Sequence, residues 1–175
     1  MKYDRYEIKK VEHLKGMSQE TECFSLELYV DGKKFAHVGN TGHGGSHSVH
    51  PIPPFTWKDV QAVTEDMKKD KFLVNYEFEP FETAVDTIFS MWQIAKTIKS
   101  SSKKKAVLLD DGQVYTMGYK NAPPDQNLFA SVMKKYPNAV ILNNMDIAEA
   151  AKLVVIAERA AYEKEFDNAP GGPKV

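Results

Sequence analysis

The chain has 175 residues and a formal net charge of −1, with 23 basic side chains against 24 acidic ones. That length suits one domain or two small ones, and a compact chain of this size buries roughly 70% of the surface its unfolded form exposes. The charge balance lacks the basic excess of a nucleic-acid-binding domain, so no nucleic-acid partner is expected.

No apolar run approaches the ~18 residues that span a bilayer, so no membrane partner is expected either. The charged start, Met1-Lys2-Tyr3-Asp4-Arg5-Tyr6, has no apolar segment of the secretory kind. Cys23 is the one cysteine, which rules out an intrachain disulfide and fits a reducing, cytoplasmic setting.

Residues 3–11 alternate, with Tyr6, Ile8 and Lys10 on one face, and predict a strand. Residues 21–30 predict a second strand. Asp31-Gly32 supplies the pair of positive φ angles that a type I′ turn wants, and 33–38 returns as its partner. Residues 39–54 contain four glycines and three prolines and are expected to be irregular. Thr56, with Asp59 three positions on, starts a helix over 56–69 with Trp57, Val60, Val63 and Met67 on one face. Residues 72–78 alternate as a short strand or extended link.

Pro80 suits a first helical position. Phe81, Val85, Ile88, Trp92 and Ala95, widened by Ala84, Met91 and Ile98, then mark a core helix over 80–99. Ser100-Ser101-Ser102 and Lys103-Lys104-Lys105 read as a flexible, solvated connection. A second hairpin follows, 106–109 and 113–119, around Asp111-Gly112. Asp125 caps a helix bearing Leu128, Phe129, Val132 and Met133. Residues 139–142 form a short apolar strand, and Asn144 or Asp146 caps a last helix with Ile147, Ala150, Val154, Ala157 and Ala161 inward.

This order predicts an α+β fold, a mixed and largely antiparallel sheet from two hairpins packed by about four helices. Residues 1–167 are expected as one domain, with a subdivision point near 100–105. Residues 168–175, with Pro170-Gly171-Gly172-Pro173, are expected as a flexible tail.

All five histidines lie between His13 and His50, and His43, His47 and His50 sit in the glycine-rich stretch. Two chemistries suit it. Successive backbone N–H groups released by Gly42, Gly44 and Gly45 can form an anion-binding nest, with Asn40, Thr41 and Ser46 as side-chain donors and His43 and His47 as added positive charge. The candidate ligand-binding set is therefore Asn40, Thr41, Gly42, His43, Gly44, Gly45, Ser46 and His47. Alternatively His43, His47 and His50 hold Zn or Mn, helped by a carboxylate from Asp31, Asp59 or Glu22, and the metal activates a water for hydrolysis.

A purely structural loop is the third possibility, its glycines serving only positive φ. Ser46 with His47, or Cys23 with a remote histidine, lacks a nucleophile elbow. Asp110-Asp111 and Glu77 with Glu79 read as solvent-facing acids.

A strand start at Glu22-Cys23-Phe24, an Asp-Gly-Lys turn, a return strand and Asn40-Thr41-Gly42-His43-Gly44-Gly45 together resemble a family of proteins encoded by bacteriophages, prophages and their hosts. The family often has Asp where this chain has Thr41. The likeness extends to the Lys-rich second hairpin and to Pro137-Asn138-Ala139-Val140-Ile141-Leu142-Asn143.

The resemblance carries no established activity. It implies an accessory role such as host takeover or counter-defence. The expectation is a non-enzymatic binding protein without a cofactor, whose Gly/His loop meets a partner protein or a nucleotide-like ligand. The alternative is a metal-dependent hydrolase of the phosphoesterase kind.

Overall fold

The computed structural model describes residues 1–76, 78–119 and 122–167, and the expected tail at 168–175 lies outside them. Their fold is α+β, with a five-stranded antiparallel sheet, a three-stranded antiparallel sheet and four α-helices. The chain divides into two compact units, Met1–Phe89 and Ser90–Val175. No helix among the described residues is long and apolar enough to cross a membrane.

In the first unit, β1 (Lys2–Tyr3), β2 (Tyr6–His13), β3 (Cys23–Val30), β4 (Lys33–Thr41) and β5 (Ser48–Pro51) pair in chain order as an antiparallel meander. Asp31 and Gly32 have φ of +51° and +75°, the left-handed pair that a tight hairpin needs. Tyr6, Ile8, Phe24, Leu26, Leu28, Ala36 and Val38 are buried along the inner face. Phe24 stacks on Phe89 at 4.6 Å, and each buried aromatic of this kind contributes about 1.5–3 kcal/mol.

Helix α1 (Trp57–Met67) opens with the predicted capping box between Thr56 and Asp59. The Tyr6 hydroxyl donates to Asp66 at 2.8 Å and ties α1 to β2.

Four expectations in this unit need correction. Lys10 does not join Tyr6 and Ile8 inside, because the pairing of β2 with β3 shifts between Lys9 and Glu12 and Lys10 takes φ +47°. The bulge turns the lysine out to Glu27. Residues 39–54 are not irregular throughout, since β4 runs to Thr41 and β5 forms at 48–51.

Trp57 is 60% exposed, being the first helical residue and outside the packed stripe of Val60 and Met67. Residues 72–76 form no strand. Leu73 and Val74 are both buried, which alternation forbids, and turn hydrogen bonds from Phe72 N to Asp70 Oδ1 and from Val74 N to Asp70 O hold them.

Helix α2 (Pro80–Ser101) places Phe81, Ala84, Val85, Ile88 and Phe89 in the first unit's core. In the second unit Ile98 packs with Val107, Leu109, Leu142, Ala150 and Val154. There β6 (Ala106–Asp110) pairs with β7 (Gln113–Met117) on one side and β8 (Val140–Ile141) on the other. Asp111 and Gly112 repeat the left-handed turn, with φ of +45° and +73°.

Asp125 caps α3 (Gln126–Lys135) through Leu128 N at 2.8 Å. Of the two candidate caps for α4 (Ile147–Asp167), Asp146 serves, accepting from Ala148 N and Glu149 N.

Lys103-Lys104-Lys105 is not the loose connection expected. The Ser101 carbonyl accepts from Lys104 N and Lys105 N at 3.0 and 2.9 Å. Asn143 then pins the turn, donating to the Lys105 carbonyl at 2.9 Å and accepting from Val107 N at 2.7 Å.

Candidate functional site

The Gly/His stretch is a short loop at the end of β4, built on Asn40. Asn40 lies opposite Phe24 on the inner face and is 8% exposed. A buried amide must find partners, and this one does. Its Oδ1 accepts from the Thr21 hydroxyl at 2.7 Å and from Gly42 N at 2.8 Å. Its Nδ2 donates to the Gly45 carbonyl at 3.0 Å and reaches His47 Nδ1 at 3.2 Å. The Gly42 N–H can only donate, which fixes which way round the amide sits.

Gly42, with φ of +85°, faces the connection before β3. Its carbonyl accepts from three successive amides, Gln19, Glu20 and Thr21, at 2.9, 3.1 and 3.4 Å. A Cβ at Gly42 would overlap the Met17 carbonyl and lie 2.8 Å from Cys23 Cβ. Gly44 N donates to the Thr21 hydroxyl at 3.3 Å, and His43 Nδ1 donates to Gln19 Oε1 at 3.2 Å.

The other wall of the loop is the start of α2. The backbone N–H of His47 donates to Glu82 Oε2 at 2.9 Å. The ring puts Nε2 3.0 Å from Asp86 Oδ1 and Nδ1 3.3 Å from Glu82 Oε2, with its side chain 6% exposed. It also stands edge-on to Phe24 at 5.1 Å. Ser46 Oγ donates to Glu79 Oε1 at 3.2 Å.

Burial of the His47 ring works against its charged form. The Asp86 hydrogen bond and the charges of Asp86, Glu82 and Glu79 outweigh it, so the imidazole titrates above its ordinary value. Neutral, Nδ1 accepts from Asn40; protonated, it donates toward Glu82.

The predicted residues Asn40, Gly42, His43, Gly44, Gly45, Ser46 and His47 thus share one hydrogen-bonded loop, with Thr41, His43, Gly45 and Ser46 exposed at its surface. His50 is not among them. It lies in β5 directly across from His37.

The donors expected to surround a metal are dispersed. Asp31 binds Arg5, Asp59 caps α1 through Thr56, and Glu22 bonds to His13 at 2.6 Å. Among the described residues no group of three or more His, Cys, Asp or Glu side chains is gathered for a metal ion. Ser46 turns to Glu79, just before α2, and His47 to Asp86 on α2, so they form no nucleophile–base pair, and Cys23 is buried.

Three residues at this site escaped the sequence reading: Glu79, Glu82 and Asp86. Their spacing of three and four puts them on one side of a helix start, which was the available signal. Glu79 is exposed, as expected, and its Oε1 accepts from the Ser46 hydroxyl.

A second feature of this unit, also unread, is a groove of about 350 Å³ on the outer face of the sheet. Ser25, Gly39 and Ser48 follow one another across three strands and make its low floor. His37 and His50 line it, as does Glu27, which is 5% exposed. Lys34 at 2.7 Å, then Lys10 and the Tyr29 hydroxyl, push the Glu27 pKa down to about 2 against the opposing effect of desolvation.

Comparison with protein-family models, with curated proteins and with solved structures gives no match.

Proposed function

We propose that the protein is a non-enzymatic binding module whose Gly/His loop docks a protein partner. The observation that carries this reading is a loop held on both sides by hydrogen bonds while its tip stays exposed. Asn40 and the Gly42 carbonyl fasten it to the 19–21 segment, and Glu82 and Asp86 fasten it to α2. A surface ordered in advance loses little entropy on association, which is what a recognition loop needs.

The setting favours a protein over a nucleotide-like ligand. Glu20 lies over Gly44, Glu79 contacts Ser46, and Glu82 and Asp86 contact His47. Four carboxylates around the loop repel phosphate and attract a basic patch. The positions of His43, His47 and His50 lend no support to the hydrolase alternative.

The resemblance to phage-associated proteins supports an accessory role, host takeover or counter-defence, and the one buried, unpaired cysteine fits a reducing cytoplasm.

The test compares the purified full chain with a Thr41→Ala/His43→Ala variant as bait for binding partners, after circular dichroism shows that both are folded. Both side chains are exposed at the tip. A partner held by the parent protein, released by added salt and lost from the variant supports the reading. A partner retained equally by the variant removes the loop as the docking site.

A further inference from the structure

The second unit holds a cavity of about 810 Å³, within the range of small-molecule sites. Lys103, Lys104 and Lys105 line one side, and Thr116, Tyr119 and Pro123 line the other. We infer that this cavity binds a small phosphorylated ligand with a planar ring, the chemistry of a nucleoside diphosphate.

Charge is the first argument. Among the described residues, none of these three lysines is in an ion pair. Their turn follows the C-terminus of α2, where the helix dipole supplies about half a negative charge. That offsets a fraction of three positive charges and leaves a net basic site.

The acids of the hairpin are too far away to neutralise the rest. The register pairs Asp110 with Gln113 and Ala106 with Met117, so Asp110-Asp111 and the lysines sit at opposite ends of the β6–β7 pair. Four strand steps make roughly 14 Å, beyond the Debye length in physiological salt.

Order is the second argument. A lysine run on a mobile linker concentrates no charge at a point, but this one is pinned by Ser101 and Asn143. Gly118 lets the end of β7 approach it, since a Cβ there would lie 3.1 Å from Lys105 Cγ and 3.2 Å from the Lys104 carbonyl.

Shape and chemistry complete the case. Tyr119 is 46% exposed and offers a ring face for stacking a base, and the Thr116 hydroxyl adds a donor beside the ammonium groups. Lysine binds phosphate as a point charge, and three together suit a diphosphate better than a single carboxylate.

The site is separate from the Gly/His loop and stands or falls without it. Calorimetric titration of the full chain with ADP, pyrophosphate, adenosine and a decathymidylate oligonucleotide tests it. ADP is expected to bind saturably at one per chain, more tightly than pyrophosphate or adenosine, and more weakly as salt rises.

Lys103→Gln/Lys104→Gln/Lys105→Gln, shown folded by circular dichroism, should lose about tenfold or more for ADP. Tyr119→Ala should weaken ADP while leaving pyrophosphate unchanged. Thr41→Ala/His43→Ala should bind ADP as the parent does. Absence of saturable ADP binding, or equal binding by the triple variant, overturns the site. ADP binding untouched by Tyr119→Ala, or decathymidylate bound much more tightly than ADP, overturns the assignment of a small nucleotide.

Discussion

Asn40 and His47 are seven residues apart in the chain and 3.2 Å apart across the loop, Nδ2 to Nδ1. One anchors the loop to the strand and the segment before β3, and the other anchors it to α2. Each therefore depends on contacts that the other keeps in place.

Replacing Asn40 with Ala strands the Thr21 hydroxyl, Gly42 N and the Gly45 carbonyl without their partner. Of these only Gly42 is buried, and a buried group left unmatched costs about 1–3 kcal/mol. Asn40→Ala should fall within that range in urea unfolding, with an unchanged slope against denaturant. A loss below about 0.5 kcal/mol would show that water or neighbouring groups replace the amide.

His47 gives the fold a pH dependence of definite sign. Its folded-state pKa is raised above the ordinary 6.5, so the folded chain holds this proton more tightly than the unfolded one. The stability gained is fully present below pH 6.5 and is lost as pH rises through the folded-state pKa. Unfolding measured from pH 5 to 9 should show this decline, and His47→Gln should flatten it. NMR titration of the ring must place the midpoint above 6.5.

Two glycines of the loop should respond differently to alanine. Gly45 has φ of +99° but open space around a Cβ, so Gly45→Ala meets backbone strain alone, about 1–2 kcal/mol. Gly42→Ala adds overlap with Met17 and Cys23 to similar strain. Thermal unfolding should find Gly42→Ala the more damaging of the two, and equal losses would contradict the packing described.

Glu27 predicts the behaviour in acid. Its carboxyl titrates near 2, so its contribution is complete above the ordinary value of 4.5 and is lost as pH falls toward 2. Glu27→Gln should be less stable than the parent at pH 7 and should have a shallower loss of stability between pH 4.5 and 2. Parallel acid profiles for the two proteins would rule this out.

What could be read from sequence was local. Asp31-Gly32 and Asp111-Gly112 declared their hairpins because few residues tolerate two successive positive φ angles. Thr56 with Asp59 and the stripe from Phe81 to Ile98 declared their helices by spacing. The glycine-rich loop stood out by composition.

What stayed hidden was remote pairing. Nothing near His47 in the chain points to Asp86, which lies 39 residues away. Nothing near Lys105 points to Asn143, 38 residues on. In both places the sequence alone left open a freedom that a distant side chain removes. The strand after Gly39 is hidden for a related reason: glycine and proline content argues against regular structure there, whereas β5 supplies a partner that extends it.

Asn40 also proofreads the pairing of its own hairpin. It sits across from Phe24 on the core side of β4. Sliding β4 by one position would swing every side chain to the opposite face, carrying the amide away from Thr21 and leaving the bulk of His37 to enter an apolar interior. An aliphatic side chain at position 40 would fill the same space yet tell one alignment from another far less sharply. A polar group that must be matched in one place makes the misaligned hairpin an expensive error, so the clasp that shapes the loop also helps choose the sheet beneath it.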